Sequence, residues 1–180
     1  ELISKGHTFK THADTEVILH GYEQWGDDVL KRLRGMFAFV IWDFKNKDMF
    51  GARDHFGIKP LYYGKMNGTF FVGSEIKAFI DHPHFDKELN KNALKPYMTF
   101  QYSATQETFF KGIYKLPEGH CFHYKDGQFN MKEYWDADFD PKDEGFDKAV
   151  DNIEDIVTDS VKAHSFADKG IKVGSFLSAG

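Results

Sequence analysis

Leu61-Tyr-Tyr-Gly-Lys-Met-Asn-Gly-Thr-Phe-Phe-Val-Gly73 reads as two short aromatic strands joined at Asn67-Gly68. That pair favours a two-residue hairpin, because both turn positions need positive φ. A second hairpin joins His120–Lys125 to Gln128–Trp135 around Asp126-Gly127. Upstream, Met36-Phe-Ala-Phe-Val-Ile-Trp42 shows no alternation and predicts a strand buried on both faces. The chain then turns through Asp43–Asp48 and returns over Met49–Arg53. Small helices are expected between these hairpins. Asp14–Trp25 places Val17, Ile18, Tyr22 and Trp25 on one face, and Asp27–Arg34 is acidic at its start and basic at its end. Ser74 is placed to cap a helix over Glu75–Ile80, and another begins at Asn90 with Pro96 interrupting or kinking it. Antiparallel hairpins, small helices and a strand needing cover on two sides predict an α+β domain of stacked sheets with helices outside.

The pattern changes after Trp135. Asp136–Glu144 is acidic and contains Pro141, as a linker would. Phe146, Ala149, Val150, Ile153, Ile156, Val157 and Val161 then keep helical spacing. A strand over Ile171–Leu177 follows and runs into Ser178-Ala179-Gly180. Helix, strand and Gly-containing turn open a parallel α/β unit, so a boundary is placed near residue 140, dividing 1–140 from 141–180. A strand entering such a turn presents backbone N–H groups to phosphate. Because a following helix should complete that site, the chain is expected to be an internal fragment of a larger protein. Glu1 in place of an initiating Met points the same way.

Composition removes several classes. At 180 residues, with 41% hydrophobic and 17% aromatic content, the chain can build a packed core. A net charge of −5 gives no basic footprint, so nucleic acid is not expected as a partner. No apolar run reaches the length of a membrane span, and no secretory signal opens the chain. One cysteine excludes an internal disulfide framework and fits a reducing, cytoplasmic setting.

Few residues carry a chemical signature by themselves. Cys121 and His123 share one strand face, as a nucleophile and base could, yet no orienting third group is visible, and a buried structural cysteine is the plainer reading. Neither His82/His84 nor His120/His123 closes a ligand set at zinc spacing, so no metal site is assigned. The acidic face of the 146–161 helix reads as solvated surface. Arg53-Asp-His-Phe-Gly-Ile-Lys-Pro-Leu-Tyr-Tyr63 is too dense in functional groups for a simple connection; an architectural role is read first, direct ligand contact second.

Several segments, in this order, resemble the glutamine-hydrolysing asparagine synthetases. They are Ala13–Val17, Leu33-Arg-Gly-Met-Phe-Ala-Phe39, Arg53–Tyr63, Gly73-Ser-Glu-Ile-Lys-Ala78, Leu116-Pro-Glu-Gly-His120, Tyr134-Trp135 and Val173–Gly180. The last resembles the start of that family's pyrophosphate loop, with Ala179 where Gly is common. The resemblance implies an incomplete αββα sandwich of the Ntn-hydrolase type over 1–140. It also implies the linker, first helix and first strand of an ATP-pyrophosphatase-like α/β domain over 141–180. It further implies hydrolysis of glutamine at an N-terminal Cys and passage of ammonia through a tunnel to a β-aspartyl-AMP. Aspartate, glutamine and ATP with magnesium are then the small-molecule substrates and cofactor. Asp14 matches the aspartate that holds the α-amino group of glutamine, with a helix N-cap as its structural alternative. Leu177, Ser178 and Gly180 match the ATP site, and Met36 matches either the tunnel wall or plain core. No catalytic residue is expected within the chain, so the fragment alone should be inactive. Association into a homodimer would supply neighbours to incomplete sheets. Two alternatives stay open: an amidotransferase with another carboxylate acceptor, and a non-catalytic binding module on the same scaffold.

Overall fold

The computed structural model describes residues 1–165, 172–174 and 176. Two compact units are present, Glu1–Ala137 and Asp138–Gly180. In the first, α1 (Asp14–Trp25) leads into a 3-10 helix over Gly26–Arg32. Seven strands follow: β1 (Ala38–Asp43), β2 (Asp48–Arg53), β3 (Tyr62–Met66), β4 (Thr69–Gly73), β5 (Ile113–Lys115), β6 (His120–Lys125) and β7 (Gln128–Glu133). A short helix, α2 (Leu94–Phe100), precedes β5.

The strands form two antiparallel sheets, ordered β1-β2-β6-β7 and β4-β3-β5. Their inner faces meet through aromatic stacking: Phe70 lies on Tyr124 with centroids 4.1 Å apart, and Tyr63 lies on Phe129 at 4.5 Å. Leu61, Leu116 and Phe122 complete this buried layer. Gly51 pairs with Phe122, and a Cβ on it would stand 2.3 Å from the Phe122 ring, so only glycine admits that ring between the sheets. The alternate residues Phe50, Ala52 and Cys121 face the other way. There they pack with Val29, Leu30, Phe37, Tyr22 and Trp25 beneath α1 and its 3-10 extension. On the outer face of the smaller sheet, Met66, Phe71 and Ile113 pack with Phe85, Ile76, Phe79 and Ile80. The molecule is thus α+β with antiparallel sheets packed face to face.

Both tight hairpins form at the dipeptides that favour them. Asn67 and Gly68 have φ of 48° and 79°, and Asp126 and Gly127 have 50° and 78°. Three expectations change. The Met36–Trp42 run does not become a strand buried on two sides. Among the described residues it forms β1 at a sheet edge, hydrogen-bonded to β2 alone, with Val40 37% and Trp42 40% exposed. Its apolarity on both faces reported composition, whereas burial depends on neighbours. Ser74 caps no helix; the segment forms a 3-10 turn over Ile76–Ala78 behind Glu75. Pro96 neither interrupts nor kinks: a 3-10 turn over Lys91–Ala93, capped by the Asn90 side chain, passes directly into α2. Pro96 is the third residue of α2, where a missing N–H costs no intrahelical bond.

In the second unit, α3 (Phe146–His164) bears the expected apolar stripe, yet Phe146, Ile153 and Ile156 are all exposed. Of the expected strand over Ile171–Leu177, Lys172–Gly174 and Phe176 are described and none is in a strand. The rest of that segment, with Leu177, Ser178 and Gly180, lies outside the described residues. No described helix is long and apolar enough to cross a membrane.

Candidate functional site

The start of α1 is fastened by Glu16 rather than by a capping side chain. Ala13 occupies the N-cap and donates no side-chain bond. Glu16 reaches back to accept the Lys10 and Thr11 amides, each at 2.7 Å, and the Thr11 hydroxyl. Thr11 Oγ1 in turn accepts the Ala13 amide at 3.1 Å. The Thr11 hydroxyl and these amides pull the Glu16 carboxyl down to about 2. Thr11 thus accepts the Ala13 amide that the Glu16 side chain would take in a capping box, while the Glu16 amide turns to the Ala13 carbonyl at 3.2 Å.

That arrangement bears directly on Asp14. The N-cap alternative does not hold, because Asp14 lies one residue inside the helix. Its Oδ1 accepts the adjacent Thr15 amide at 2.8 Å and the side chain is exposed. A carboxylate here faces the positive end of the helix, an electrostatically favourable position. Thr15, Ile18 and Leu19 continue from it as one wall of a groove of about 270 Å3, whose other wall is Phe39–Trp42 of β1. Asp14 itself does not line that groove; it is the exposed carboxylate one residue before Thr15, which does.

The Arg53–Tyr63 segment is architectural. Asp54, 1% exposed, accepts the amides of Ile58 and Lys59 at 2.9 Å, Phe56 at 3.2 Å and Phe37 at 3.3 Å. The Arg53 guanidinium donates to the carbonyls of Lys59, Leu116 and Gly57. Tyr134 closes the assembly by donating to the Arg53 carbonyl at 2.7 Å. The Arg53 and Asp54 side chains are buried and spent on backbone groups, so this pair positions the loop, while Lys59 of the same segment is exposed.

Cys121 and His123 do not cooperate. Cys121 is 2% exposed, and burial, reinforced by the charge of Asp27, pushes its thiol up to about 11. A thiol so reluctant to ionise is a core group, not a nucleophile. His123 bridges two carboxylates instead, with Nδ1 2.9 Å from Asp48 and Nε2 3.1 Å from Asp27. His82 and His84 meet ring to ring at 5.3 Å, and His82 Nδ1 accepts the His84 amide at 3.2 Å. Met36 is 45% exposed, so it is not packed in the core of the described residues. Leu177, Ser178 and Gly180 lie outside the described residues. Sequence reasoning missed a different group, His7, His20 and Glu23, whose ligand atoms lie within 4.8 Å of one another. The i,i+3 spacing of His20 and Glu23 on α1 was the legible part of that signal.

A family described as a glutamine amidotransferase domain matches residues 1–135. The chain is 41% identical over 181 residues to asparagine synthetase [glutamine-hydrolyzing] 1 of Bacillus subtilis, covering all of this chain and 28% of that protein. It is 39% identical over 183 residues to a putative asparagine synthetase [glutamine-hydrolyzing] of Mycobacterium tuberculosis, covering 97% of this chain and 28% of that one. The chain therefore spans little more than a quarter of the length of these relatives. Among solved structures, the glutamine phosphoribosylpyrophosphate amidotransferase of Bacillus subtilis superposes with a TM-score of 0.51 and 22% identity. That match covers 74% of this chain and 25% of that one. At that identity the likeness concerns the fold.

Proposed function

The chain belongs to the glutamine amidotransferase domain family, and from that footing we propose that it is the glutamine-handling part of an asparagine synthetase. On this reading residues 1–140 are the C-terminal part of an Ntn-hydrolase-type αββα glutaminase domain. Residues 141–180 are the linker, first helix and first strand of an ATP-pyrophosphatase-like domain. The whole protein would hydrolyse glutamine to glutamate, pass the ammonia past Met36, and use it on β-aspartyl-AMP made from aspartate and ATP. Leu177, Ser178 and Gly180 would open the ATP site, whose magnesium neutralises phosphate charge.

The observation that carries the reading is Asp14. Thr11 and Glu16 do the work of holding the helix start, which leaves the Asp14 carboxylate exposed with one short-range hydrogen bond. An α-ammonium group is the natural partner for such a carboxylate, and the bond between two charged groups is short and strong. Cys121 supplies no chemistry here, since its thiol is buried and neutral at physiological pH. The chain's own part in the reaction is therefore to orient glutamine by its amino end while another segment attacks the amide.

The test is a stoichiometric assay of the intact protein with glutamine, aspartate and ATP. Glutamate and asparagine are expected in equal amounts. Glutamate release with no consumption of aspartate would move the assignment to a different acceptor, and absence of glutamate release would remove it altogether.

A further inference from the structure

We propose that His7, His20 and Glu23 form a binding site for one divalent transition-metal ion of the zinc class. The three side chains come from two segments: His7 precedes α1, while His20 and Glu23 stand one turn apart on its surface. Their ligand atoms lie within 4.8 Å of one another. His20 Nδ1 is 2.7 Å and His7 Nδ1 3.7 Å from the same oxygen, Glu23 Oε2. Ligands about 2.0–2.1 Å from a tetrahedral zinc stand roughly 3.4 Å apart, so small rotations of the two rings admit the ion.

The surroundings favour an ion over a bare hydrogen bond. Both imidazoles direct Nδ1 at Glu23 and keep Nε2 for an acceptor. His7 Nε2 is 3.0 Å from Gln24 Oε1, and His20 Nε2 faces Glu16 Oε1 at 3.6 Å. Without an ion the 2.7 Å contact makes His20 Nδ1 the donor to Glu23 Oε2. An ion would take that proton's place, with both Nδ1 atoms as ligands and the Nε2–H groups turned to Gln24 and Glu16, the kind of outer partner that orients metal-bound histidines. The His7 and His20 side chains are only 16% and 17% exposed, and the Phe9 ring stands edge-on to His20 at 4.9 Å. Glu23, 53% exposed, leaves the fourth position open to water.

The site is also assembled in advance. Glu16 ties Lys10 and Thr11 to the first turn of α1, which holds the His7 segment against the helix without an ion. Two nitrogens and one carboxylate suit zinc, cobalt(II) or nickel(II), while calcium and magnesium prefer all-oxygen shells. The bound ion would clip residues 1–11 to the helix that presents Asp14.

Titration of the metal-free full chain with zinc, and in parallel with cobalt(II), tests this. One equivalent is expected to bind, with the intense visible absorption of tetrahedral cobalt. His7→Ala and His20→Ala should lose it, and Gln24→Ala should weaken it by about 10–100-fold, as loss of an outer partner does. Glu23→Gln keeps the size of the side chain and should remove the cobalt spectrum with far-ultraviolet dichroism unchanged. His82→Ala should bind as the parent does. No saturable equivalent, or one that survives in the His7→Ala, His20→Ala pair, overturns the proposal.

Discussion

Asp54 and Asp14 are both carboxylates at the end of a regular element, and their surroundings make them opposites. Asp54 follows β2 and is buried, with four backbone amides converging on it and Arg53 bracing the same loop from its own side. Asp14 opens α1, is exposed, and receives one neighbouring amide, while Glu16 and Thr11 secure the helix in its place. A charge that the fold has fully satisfied cannot also serve a ligand. One that the fold leaves at the surface, with its structural duty taken by others, can. The density of functional groups in Arg53–Tyr63 is therefore a poorer guide to chemistry than the sparse surroundings of Asp14.

The contrast breaks first at Asp54. Asp54→Ala would strand several buried amides, and a stability loss of about 3–5 kcal/mol is expected in urea unfolding. A loss below about 1 kcal/mol would show that the loop holds itself. Asp14→Ala removes only a favourable charge near the helix N-terminus, and about 0.3–1 kcal/mol is expected by the same measurement. A loss as large as that at Asp54 would make Asp14 structural too.

Two further measurements sharpen the picture through protonation. Glu16 ionises at about 2 in the folded chain, because the Thr11 hydroxyl and two amides stabilise its charged form. A lowered value gives stability that is present above the ordinary carboxyl range and lost as pH falls through about 2. Slow hydrogen exchange of the Lys10 and Thr11 amides should thus survive at pH 3, and Glu16→Gln should abolish it. Cys121 has the opposite sign. Its thiol, raised to about 11, favours the fold below the ordinary thiol range and loses that contribution as pH rises through 11. Alkylation of Cys121 near pH 7 should be far slower in the native chain than in urea. Equal rates would place Cys121 at the surface.

Much of this was legible in the residues, for identifiable reasons. Asn67-Gly68 and Asp126-Gly127 could be read because a tight turn demands positive φ from residues that tolerate it. α1 could be read because its apolar spacing and Gly26 fix its bounds. The inward role of Arg53–Asp54 followed from its crowded polar groups beside a Gly-x-x-Pro path. Other features depend on contacts that no local pattern encodes. β1 reads as doubly buried yet lies at an edge among the described residues. β5 is three residues long and shows no periodicity, so it escaped notice. His7 joins His20 and Glu23 only because residues 1–13 fold back on α1, a return that sequence spacing does not announce.

The central claim is that Asp14 holds the amino end of glutamine while contributing little to the fold. Steady-state glutamate release by the intact protein tests it most directly, comparing the parent with Asp14→Asn, a substitution of the same size. Loss of a charge-assisted contact predicts a fall of at least about tenfold in kcat/KM for glutamine, equivalent to about 1.4 kcal/mol. The melting temperature should stay within about 2 °C of the parent, and synthesis with free ammonia should be unaffected. An unchanged kcat/KM for glutamine in a folded Asp14→Asn protein would contradict the account.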